Sequence, residues 1–493
     1  MASESRKRLP VSVGQAKYIP SKVEDYAGNP LIEALPIRLE PRPFRERLTV
    51  MIESEDVNRF SLSEKEAYVN EVFKMRVLSR QHLDLYYDIY AMLSNGYVHR
   101  NPNRAEVVSW SYDIADPDVS QQDVNRPFLP SVIGPSVSEA LFLTGFSGNG
   151  KTTMTEHILF NLFPRVVNHT GADFEDIQVV YLKVDMPHDA VRSALIYSLL
   201  EELDYVLSNT SYGDPRYRDL VKKNDGRFIT IEKMKDVLLT ACNRHHVGLI
   251  VLDEFQNIKV VSPIRRNEMI QLLDELSNQL FIPFIKIGTP DLLTMFPKAV
   301  HKRRLGRPVE FNCLSEPKVW SRLMEMLYNF QPLAHPIERD EKIDALMLNL
   351  TAAVPAYALG LWKETIIKAM RTGEEKISIK LIRQAFKERF PLLKSVVRNI
   401  NKNRRGSYDD LLTVQQYLDE SESDLALKHL QHIVKNSGVE GMSASDVLED
   451  INTAFNPNEM DLKQRSKLSD IKKQLVKKSQ AVLGPQTIEH QTK

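Results

Sequence analysis

Short apolar runs alternate with longer helical patterns in the middle of the chain, between Glu139 and Phe311. The runs read ALFLTG, QVVYLKVD, GLIVLDE, PFIKIGT and PVEFN, and a segment with apolar residues at helical spacing follows each run except the last. An apolar strand followed by a helix, repeated in this way, is typical of βαβ units and of a mostly parallel sheet covered on both faces. The pattern predicts an α/β domain over residues 116–312.

The regions on either side of this domain have other patterns. Residues 1–115 are predicted to form an N-terminal extension that is extended and proline-rich at first and then helical as far as Asn95 and Gly96. Ser63 and Glu66 match the Ser-x-x-Glu capping box that opens a helix. Residues 313–395 show helical spacing throughout, which predicts an α-helical lid, and residues 396–493 are predicted to form a polar, partner-binding tail.

Composition limits the class of protein. The chain has 493 residues, 42% of them hydrophobic and 26% charged, which is typical of a globular protein with about two to four domains. A net charge of zero means that any contact with nucleic acid depends on local basic patches. The chain has only two cysteines, no membrane-spanning apolar stretch, and no apolar segment in its first residues, MASESRKRLPVSVGQ. We therefore expect a cytoplasmic protein without disulfides.

The first apolar run leads into a glycine-rich loop, GFSGNGKT, which fits the P-loop pattern G-x-x-x-x-G-K-[ST] and lies between a predicted strand and a predicted helix. Glycines let successive N–H groups turn towards phosphate oxygens, and the N-terminus of the helix favours the same anion. This predicts ATP as a cofactor, with Lys151 at the β- and γ-phosphates. The predicted ATP contacts in the loop are Gly145, Ser147, Gly148, Asn149, Gly150, Lys151, Thr152 and Thr153.

An acidic pair ends the third apolar run. Leu249–Leu252 predict a buried strand, and Asp253 follows at its C-terminal end, the edge at which open α/β sheets bind ligands. We expect Asp253 and the Thr152 hydroxyl to hold Mg²⁺, the second predicted cofactor. Glu254 is predicted to be the catalytic residue that polarises the attacking water.

Three further positions are candidates for contact with the γ-phosphate. Thr289 ends the next apolar run and would hydrogen-bond the phosphate, or alternatively would cap the helix that begins in GTPDLL. Arg303 and Arg304, ahead of Arg307, are predicted arginine fingers that would act on a neighbouring subunit. A basic surface turn or a nucleic-acid patch is the alternative interpretation of these arginines.

The order of these elements resembles AAA+ ATPases of the initiator-like group. The stretches AGNPLIEALP, NGYVHRNP, LFLTGFSGNGKTT, IKIGTPD and RRLGR narrow the resemblance, over about residues 25–395, to the TnsC family of transposition regulators. The resemblance implies a homo-oligomeric ring or filament, a hexamer or heptamer, on double-stranded DNA. It also implies two protein partners, a TniQ/TnsD-type targeting protein and a TnsA-TnsB transposase, with ATP hydrolysis limiting insertion. The alternative is a helicase loader or replication initiator of the same ATPase group.

One feature departs from this resemblance. Many AAA+ proteins carry an arginine on the third lid helix that faces the γ-phosphate. The comparable stretch here, TAAVPAYALGLWKETIIKAM, offers only Lys363 as a nearby cation.

Two basic segments are candidate DNA contacts. The loop SYGDPRYRDLVKKNDGRF interleaves basic residues with tyrosines, a composition that suits phosphate binding, although such runs are more often solvated surface. Its predicted DNA-binding residues are Arg216, Arg218, Lys222 and Lys223. The second segment, residues 461–478, is basic with a weak apolar face. The resemblance favours transposase docking there, with DNA binding as the alternative.

Overall fold

The structure is a computed structural model, and it describes residues 8–115, 140–290, 292, 306–401 and 469, except residues 55–56, 58, 172–173, 313 and 315. The predicted arginine fingers, Arg303 and Arg304, lie outside the described residues. So does the basic segment at 461–478, apart from Ser469.

Five parallel strands form the central sheet, in the spatial order β5-β6-β7-β2-β8. The strands are β2 (Ala140–Gly145), β5 (Tyr181–Asp185), β6 (Leu249–Asp253), β7 (Phe284–Ile287) and β8 (Arg307–Phe311). Asp185 lies opposite Asp253 in the register, so the ends of β5 and β6 coincide. β6 and β7 are buried along their whole length, as strands covered on both faces must be. The predicted α/β fold with a parallel sheet is confirmed.

Helices cover both faces of this sheet. On one face α6 (Lys151–Leu162) packs with α2 (Pro41–Leu48) and α4 (Arg80–Val98) of the N-terminal extension. On the other face lie α5 (Ala105–Ala115), α7 (Arg192–Ser208), α9 (Ile231–Arg244) and α10 (Pro263–Leu280). None of the described helices has the length and apolarity that crossing a membrane requires.

A second, small sheet corrects one prediction. β1 (Val13–Gln15) pairs parallel to β3 (Val166–Thr170), and β3 pairs antiparallel to β4 (Glu175–Val179). QVVYLKVD was predicted as one strand, but β4 ends at Val179 and β5 begins at Tyr181 in the central sheet. The chain changes sheets between them, where the Val180 N–H donates to the carbonyl oxygen of Arg165 at 2.9 Å. An unbroken apolar run in the sequence gives no indication that the chain passes from one sheet to another.

The helices of the N-terminal extension begin and end differently from the prediction. The first helix of the extension is the short α1 (Pro30–Glu33), which follows β1, and α3 (Leu62–Tyr68) is capped by Ser61 and Glu64. The predicted capping pair Ser63 and Glu66 is wrong, because the Glu66 carboxylate instead binds a lid arginine, Arg371. α4 also continues through Gly96, which is needed for packing, since a Cβ there would lie 2.8 Å from Pro283 Cδ.

The segment after β8 is helical, as predicted. It contains α11 (Pro317–Asn329), α12 (Glu341–Thr351), α13 (Pro355–Thr372), α14 (Ile379–Arg389) and α15 (Leu393–Asn401). Their core also takes in Val69, Val72 and Met75 of the N-terminal extension. The extension therefore contributes to the core beneath the central sheet and to the core of the lid, and the domain boundaries stay a prediction.

Candidate nucleotide-binding site

Backbone geometry at two glycines shapes the loop between β2 and α6. Gly145 has φ +141°, and a Cβ there would lie only 2.3 Å from the Phe311 carbonyl oxygen of β8. Gly150 has φ +84° at the N-cap of α6, a left-handed conformation that side chains disfavour. These two positions make the sharp turn that brings the backbone of residues 146–150 around one concave surface.

Lys151, the first residue of α6, folds back over this loop. Its Nζ donates to the carbonyl oxygens of Gly145 at 2.8 Å and Phe146 at 3.1 Å. The ammonium group thus lies inside the turn, where the P-loop pattern places the phosphates.

Asp253 ends β6 beside the start of α6 and is almost completely buried. Its Oδ1 accepts hydrogen bonds from the Thr152 hydroxyl at 3.1 Å and the Glu254 N–H at 2.9 Å. Its Oδ2 lies 3.2 Å from Nζ of Lys183 on β5. Burial lowers the pKa of Lys183, but neighbouring carboxylates, Asp253 foremost, raise it further, and the net pKa is above its ordinary value. Lys183 therefore remains a charged ammonium beside Asp253.

Glu254 follows at the mouth of the site. It has φ +52°, a left-handed conformation that is uncommon for a residue with a side chain, and the side chain is exposed. The Gln256 side-chain amide donates to its Oε2. Backbone strain of this kind concentrates at functional sites.

These groups surround one cavity of about 330 Å³. Its lining includes eight residues predicted from the sequence: Ser147, Gly148, Gly150, Lys151, Thr152, Thr153, Asp253 and Glu254. Thr289 lines it as well, and the Thr289 hydroxyl is buried without a hydrogen bond to the described part of the protein. Contact of this hydroxyl with the γ-phosphate and its role as a helix cap both stay predictions.

Two predicted contacts lie behind the cavity instead of in its lining. Asn149 is buried, and its amide donates to the Phe311 carbonyl oxygen at 2.8 Å, which ties the loop to β8. Gly145 makes the turn described above. Both residues shape the loop, and neither of them is part of the cavity lining.

Four lining residues were missed by the sequence analysis: Gln256, Ile287, Gly288 and Ala356. The first three are within two residues of the predicted residues Glu254 and Thr289. Their position in the sequence could therefore have indicated that they line the cavity. Ala356 comes from the lid, where the N–H of Ala356 donates to the Gly148 carbonyl oxygen at 3.2 Å. No sequence pattern indicated that contact.

Lys363, the cation considered for the γ-phosphate, lies on the same lid helix, α13 (Pro355–Thr372). Lys363 does not belong to the cavity lining. Its Nζ lies 5.6 Å from the centre of the Phe73 ring and 3.9 Å from the Glu364 carboxylate. The lid thus reaches the cavity with the first turn of α13 and a small apolar side chain.

The residues present fit a nucleotide with a magnesium ion. Mg²⁺ prefers oxygen ligands and usually keeps waters while binding one or two protein groups and the substrate phosphates. Thr152 and Asp253 offer such oxygens next to the Lys151 ammonium. Among the described residues, no group of three or more His, Cys, Asp or Glu side chains could hold a metal by itself.

The predicted DNA-binding loop lies along α7 and includes the short helix α8 (Tyr217–Leu220). Asp204 accepts hydrogen bonds from the N–H groups of Tyr217 at 2.8 Å and Arg218 at 3.0 Å, and the Tyr217 hydroxyl pairs with His245. His245 lies just before β6, so this part of the loop is at the opposite edge of the sheet from Asp253.

The charges of that loop are partly offset by nearby groups. Arg216 pairs with Asp214 at 3.1 Å, and Lys222 donates to the Tyr197 hydroxyl at 2.8 Å. Arg218 lies 4.0 Å from Asp219. The side chains of both ion pairs are about one-third exposed or more, and exposed ion pairs contribute little to stability.

Arg307, the third arginine considered as a finger, begins β8. Its guanidinium lies 2.7 Å from the Asp88 carboxylate of α4 in the same chain. That pairing favours a role in holding the N-terminal extension to the sheet.

Comparison with known proteins gives one family match. Residues 137–296 match the family model described as AAA domain. No curated protein sequence matches the chain significantly.

Several solved structures are similar at low identity. The ORC1 protein of Aeropyrum pernix in complex with DNA is 14% identical, with 76% of this chain and 82% of that chain covered and a TM-score of 0.35. The Walker-type ATPase of Pyrococcus abyssi is 11% identical over 76% and 91% of the two chains, with a TM-score of 0.38. Cdc6p of Pyrobaculum aerophilum is 14% identical over 70% and 88%, with a TM-score of 0.34. The parallel sheet, the glycine-rich loop and the family match agree: residues 137–296 are an AAA domain, and the chain has the P-loop AAA+ fold.

Proposed function

We propose that this protein binds ATP with Mg²⁺ and hydrolyses it to ADP and phosphate. The observation that carries the proposal is the meeting of Thr152 and Asp253, 3.1 Å apart, beside Lys151 and Glu254 in one cavity. AAA domains belong to nucleotide-hydrolysing ATPases, and the four side chains are those that phosphoryl transfer to water requires.

Each residue has a distinct role in this proposal. Lys151 leaves the loop carbonyls and binds the β- and γ-phosphates, while the loop N–H groups bind phosphate oxygens. Thr152 and Asp253 hold Mg²⁺, which neutralises charge on the phosphates when bound. Glu254 accepts the proton of the attacking water, and Thr289 donates a hydrogen bond to the γ-phosphate. Arg303 and Arg304 supply positive charge to the site of a neighbouring subunit.

We further propose a role as a TnsC-type regulator of transposition in the bacterial cytoplasm. The protein would oligomerise on double-stranded DNA and connect a TniQ/TnsD-type targeting protein to a TnsA-TnsB transposase. The sequence resemblance supports this, and two of its stretches touch in the fold. Asn29 of AGNPLIEALP donates to the Tyr97 carbonyl oxygen of NGYVHRNP at 2.8 Å, and Asn101 of NGYVHRNP donates to the Gly28 carbonyl oxygen at 3.4 Å.

In this proposal, each region of the chain has its own role. Residues 1–115 contact the targeting protein, 116–312 bind ATP, 313–395 cover the nucleotide, and 396–493 dock the transposase. The DNA contacts are Arg216, Arg218, Lys222 and Lys223 in each subunit.

Electron microscopy of the full chain with duplex DNA and a slowly hydrolysed ATP analogue tests the assembly. We expect closed rings or a filament surrounding DNA, formed only when nucleotide and Mg²⁺ are present. A pull-down then compares TnsA-TnsB transposase with a replicative helicase. Retention of the helicase and not the transposase would replace our proposal with the helicase-loader alternative.

A further inference from the structure

Part of the N-terminal extension leaves the core beneath the central sheet, enters the core of the lid and returns. Leu48, at the end of α2, is completely buried beneath the sheet, and Leu78 packs against the same core. Between them, Val69 and Val72 are completely buried among side chains of the lid. We call the described part of residues 50–77 the strap, because it joins the two cores.

Hydrogen bonds also hold the strap to the lid. The N–H of Gln331, just after α11, donates to the Ser54 hydroxyl at 2.7 Å, and Gln331 is buried. Arg371 of α13 donates from Nε and Nη2 to the two carboxylate oxygens of Glu66, at 2.6 and 2.8 Å. Such a bidentate pair fixes orientation as well as distance. The polar contacts thus agree with the apolar ones in joining the strap to the lid.

The two ends of the strap come together close to α6. Val50 and Arg76 form one antiparallel bridge, in which each backbone N–H donates to the other residue's carbonyl oxygen, at 3.3 and 3.0 Å. Just before Val50, the Leu48 carbonyl oxygen accepts from Nε2 of His157 on α6 at 2.9 Å. The Asn161 amide donates to Nδ1 of the same ring, so Nε2 carries the proton. His157 therefore fixes the first end of the strap to α6, the helix that begins at the P-loop.

Gln81, in the first turn of α4, binds the link between β8 and the lid. Its Nε2 donates to the Glu310 carbonyl oxygen at 3.2 Å, and its Oε1 accepts from the Asn312 N–H at 3.2 Å. These two groups lie on either side of Phe311, whose carbonyl oxygen accepts a hydrogen bond from Asn149 of the P-loop. One side chain thus holds the place where the chain leaves the sheet for the lid.

The two ends of the strap and the link after β8 form a joint between the lid and the AAA core. Separating the strap from the lid would expose a large buried apolar core to water, which is strongly unfavourable. Gln81 and His157 hold the joint by hydrogen bonds, which exchange with water at small net cost. The lid also packs against Phe146 of the P-loop, but in a much smaller apolar cluster. A movement of the lid should therefore occur at the joint, with the strap still attached to the lid.

We propose that the strap and the lid move as one rigid unit, which turns against the AAA core at the joint that Gln81 and His157 position. A protein bound to the strap then sets the position of the lid over the nucleotide cavity. The N-terminal extension thereby has a regulatory role in addition to contact with a partner. The effect on nucleotide rests on the proposed ATPase function, whereas the movement rests on the contacts alone.

Distances between pairs of spin labels in the full-length protein test the movement. Phe160 on α6, Leu62 in the strap and Leu348 on α12 are exposed, and they are replaced by Cys two at a time for labelling. The native cysteines are removed as Cys242→Ala and Cys313→Ser. Excess unlabelled protein ensures that each distance lies within one subunit. The distances are measured without nucleotide and with a slowly hydrolysed ATP analogue and Mg²⁺.

Two variants loosen the joint. Gln81→Met keeps the length of the side chain and removes both hydrogen bonds to the link after β8. His157→Leu removes the hydrogen bond to the first end of the strap, and it keeps the test open if Gln81→Met does not fold. Gln271→Met, at an exposed position of α10 on the other face of the sheet, is the matched control. The affinity for a fluorescent ATP analogue is measured for the same proteins.

We expect the distance between strap and lid to stay the same in every protein and state. The core-to-strap and core-to-lid distances should change together when nucleotide binds, and both distributions should broaden in Gln81→Met and His157→Leu but not in Gln271→Met. Nucleotide affinity should fall at least about threefold in the two joint variants, roughly the effect of one lost hydrogen bond.

A strap that keeps its distance from the core while the lid moves would overturn the inference, as would unchanged distributions in both joint variants. A core-to-lid distance that bound nucleotide leaves unchanged would overturn the regulatory role. Failure of the wild type to bind the ATP analogue would overturn the proposed function instead, because the nucleotide-free distances still decide whether the strap moves with the lid.

Discussion

At the scale of single residues, the proposed ATP site has separate groups for nucleotide binding and for hydrolysis. Lys151 and the loop backbone are placed for phosphate, whereas Glu254 lies at the cavity mouth, exposed and bonded to Gln256. A substitution at one position should therefore remove one function and leave the other.

Replacing Glu254 by Gln should abolish ATP turnover while nucleotide binding persists. The amide cannot accept the water proton, whereas Thr152 and Asp253 remain unchanged, and loss of a general base typically costs on the order of 10²–10⁴ in rate. Phosphate release and binding of a fluorescent ATP analogue measure the two properties. Lys151→Ala is the comparison and should lose binding itself. Turnover by Glu254→Gln at the wild-type rate would show that another group is the base.

At the scale of elements, the start of α4 connects the N-terminal extension to the P-loop. The Ser79 N–H donates to Nδ1 of His82 at 2.8 Å, which caps the helix, and the His82 ring lies edge-on to Phe311 at 5.2 Å. Phe311 is the residue whose carbonyl oxygen binds Asn149 and lies against Gly145. The cap of α4 thus rests on the same strand end as the P-loop.

This cap should make stability depend on pH. Burial, and to a smaller extent the electrostatic effect of nearby His157, lowers the pKa of His82 from its ordinary value of 6.5 to about 4. The unfolded chain therefore binds a proton that the folded chain excludes, and stability is lost as pH falls from about 6.5 towards 4, by up to about 3 kcal/mol.

His82→Gln should flatten that dependence. Glutamine does not titrate, and its side-chain oxygen can accept the same Ser79 N–H, as in an ordinary capping box. Melting temperatures of both proteins between pH 5 and pH 7 make the comparison. Parallel curves would mean that other groups, such as His245, whose pKa burial also lowers to about 4, account for the whole effect.

At the scale of the whole molecule, the proposed ATPase needs a second subunit. Arg307 pairs with Asp88 of its own chain, which leaves Arg303 and Arg304 as the proposed source of charge in trans. The proposal predicts a specific behaviour of mixed assemblies.

Arg304→Ala, or Arg303→Ala, should bind ATP normally and fail to hydrolyse it. Mixing the hydrolysis-deficient variant with Lys151→Ala should restore part of the activity, because at some interfaces one subunit binds ATP and the other supplies the arginine. Phosphate release across a series of mixing ratios measures the rescue. Inactivity at every ratio would contradict an arginine acting between subunits.

The affinity for duplex DNA should depend on salt concentration, through a small number of phosphate contacts made by each subunit. Each phosphate contact contributes a slope near −0.9 in log K against log salt, and a ring repeats its contacts in every subunit. Arg216→Ala with Arg218→Ala should weaken binding to random and chosen sequences equally and flatten the slope, with ATP binding intact. Lys376→Ala with Lys380→Ala, in the lid, is a charge-matched control. An unchanged slope that falls only when residues 461–478 are deleted would assign DNA binding to that segment.

The local parts of this protein were determined by its sequence alone. A P-loop is a contiguous backbone conformation, so GFSGNGKT predicts the turn, the helix start at Lys151 and the cavity lining at once. The acidic strand end is equally local, because an apolar strand carries Asp253 to the ligand edge. Parallel topology followed from the alternation of strands and helices.

Only the tertiary structure decided which distant residues meet. Ser61 and Ser63 both begin Ser-x-x-Glu, and the lid arginine Arg371 distinguishes them by binding Glu66. Ala356 reaches the cavity because α13 begins against the P-loop, and Lys183 reaches Asp253 because β5 and β6 are neighbours. Spacing along the chain encodes secondary structure through backbone geometry, whereas contacts between elements depend on how whole faces pack. The charges around Asp253, at the proposed magnesium site, therefore became visible only in the folded chain.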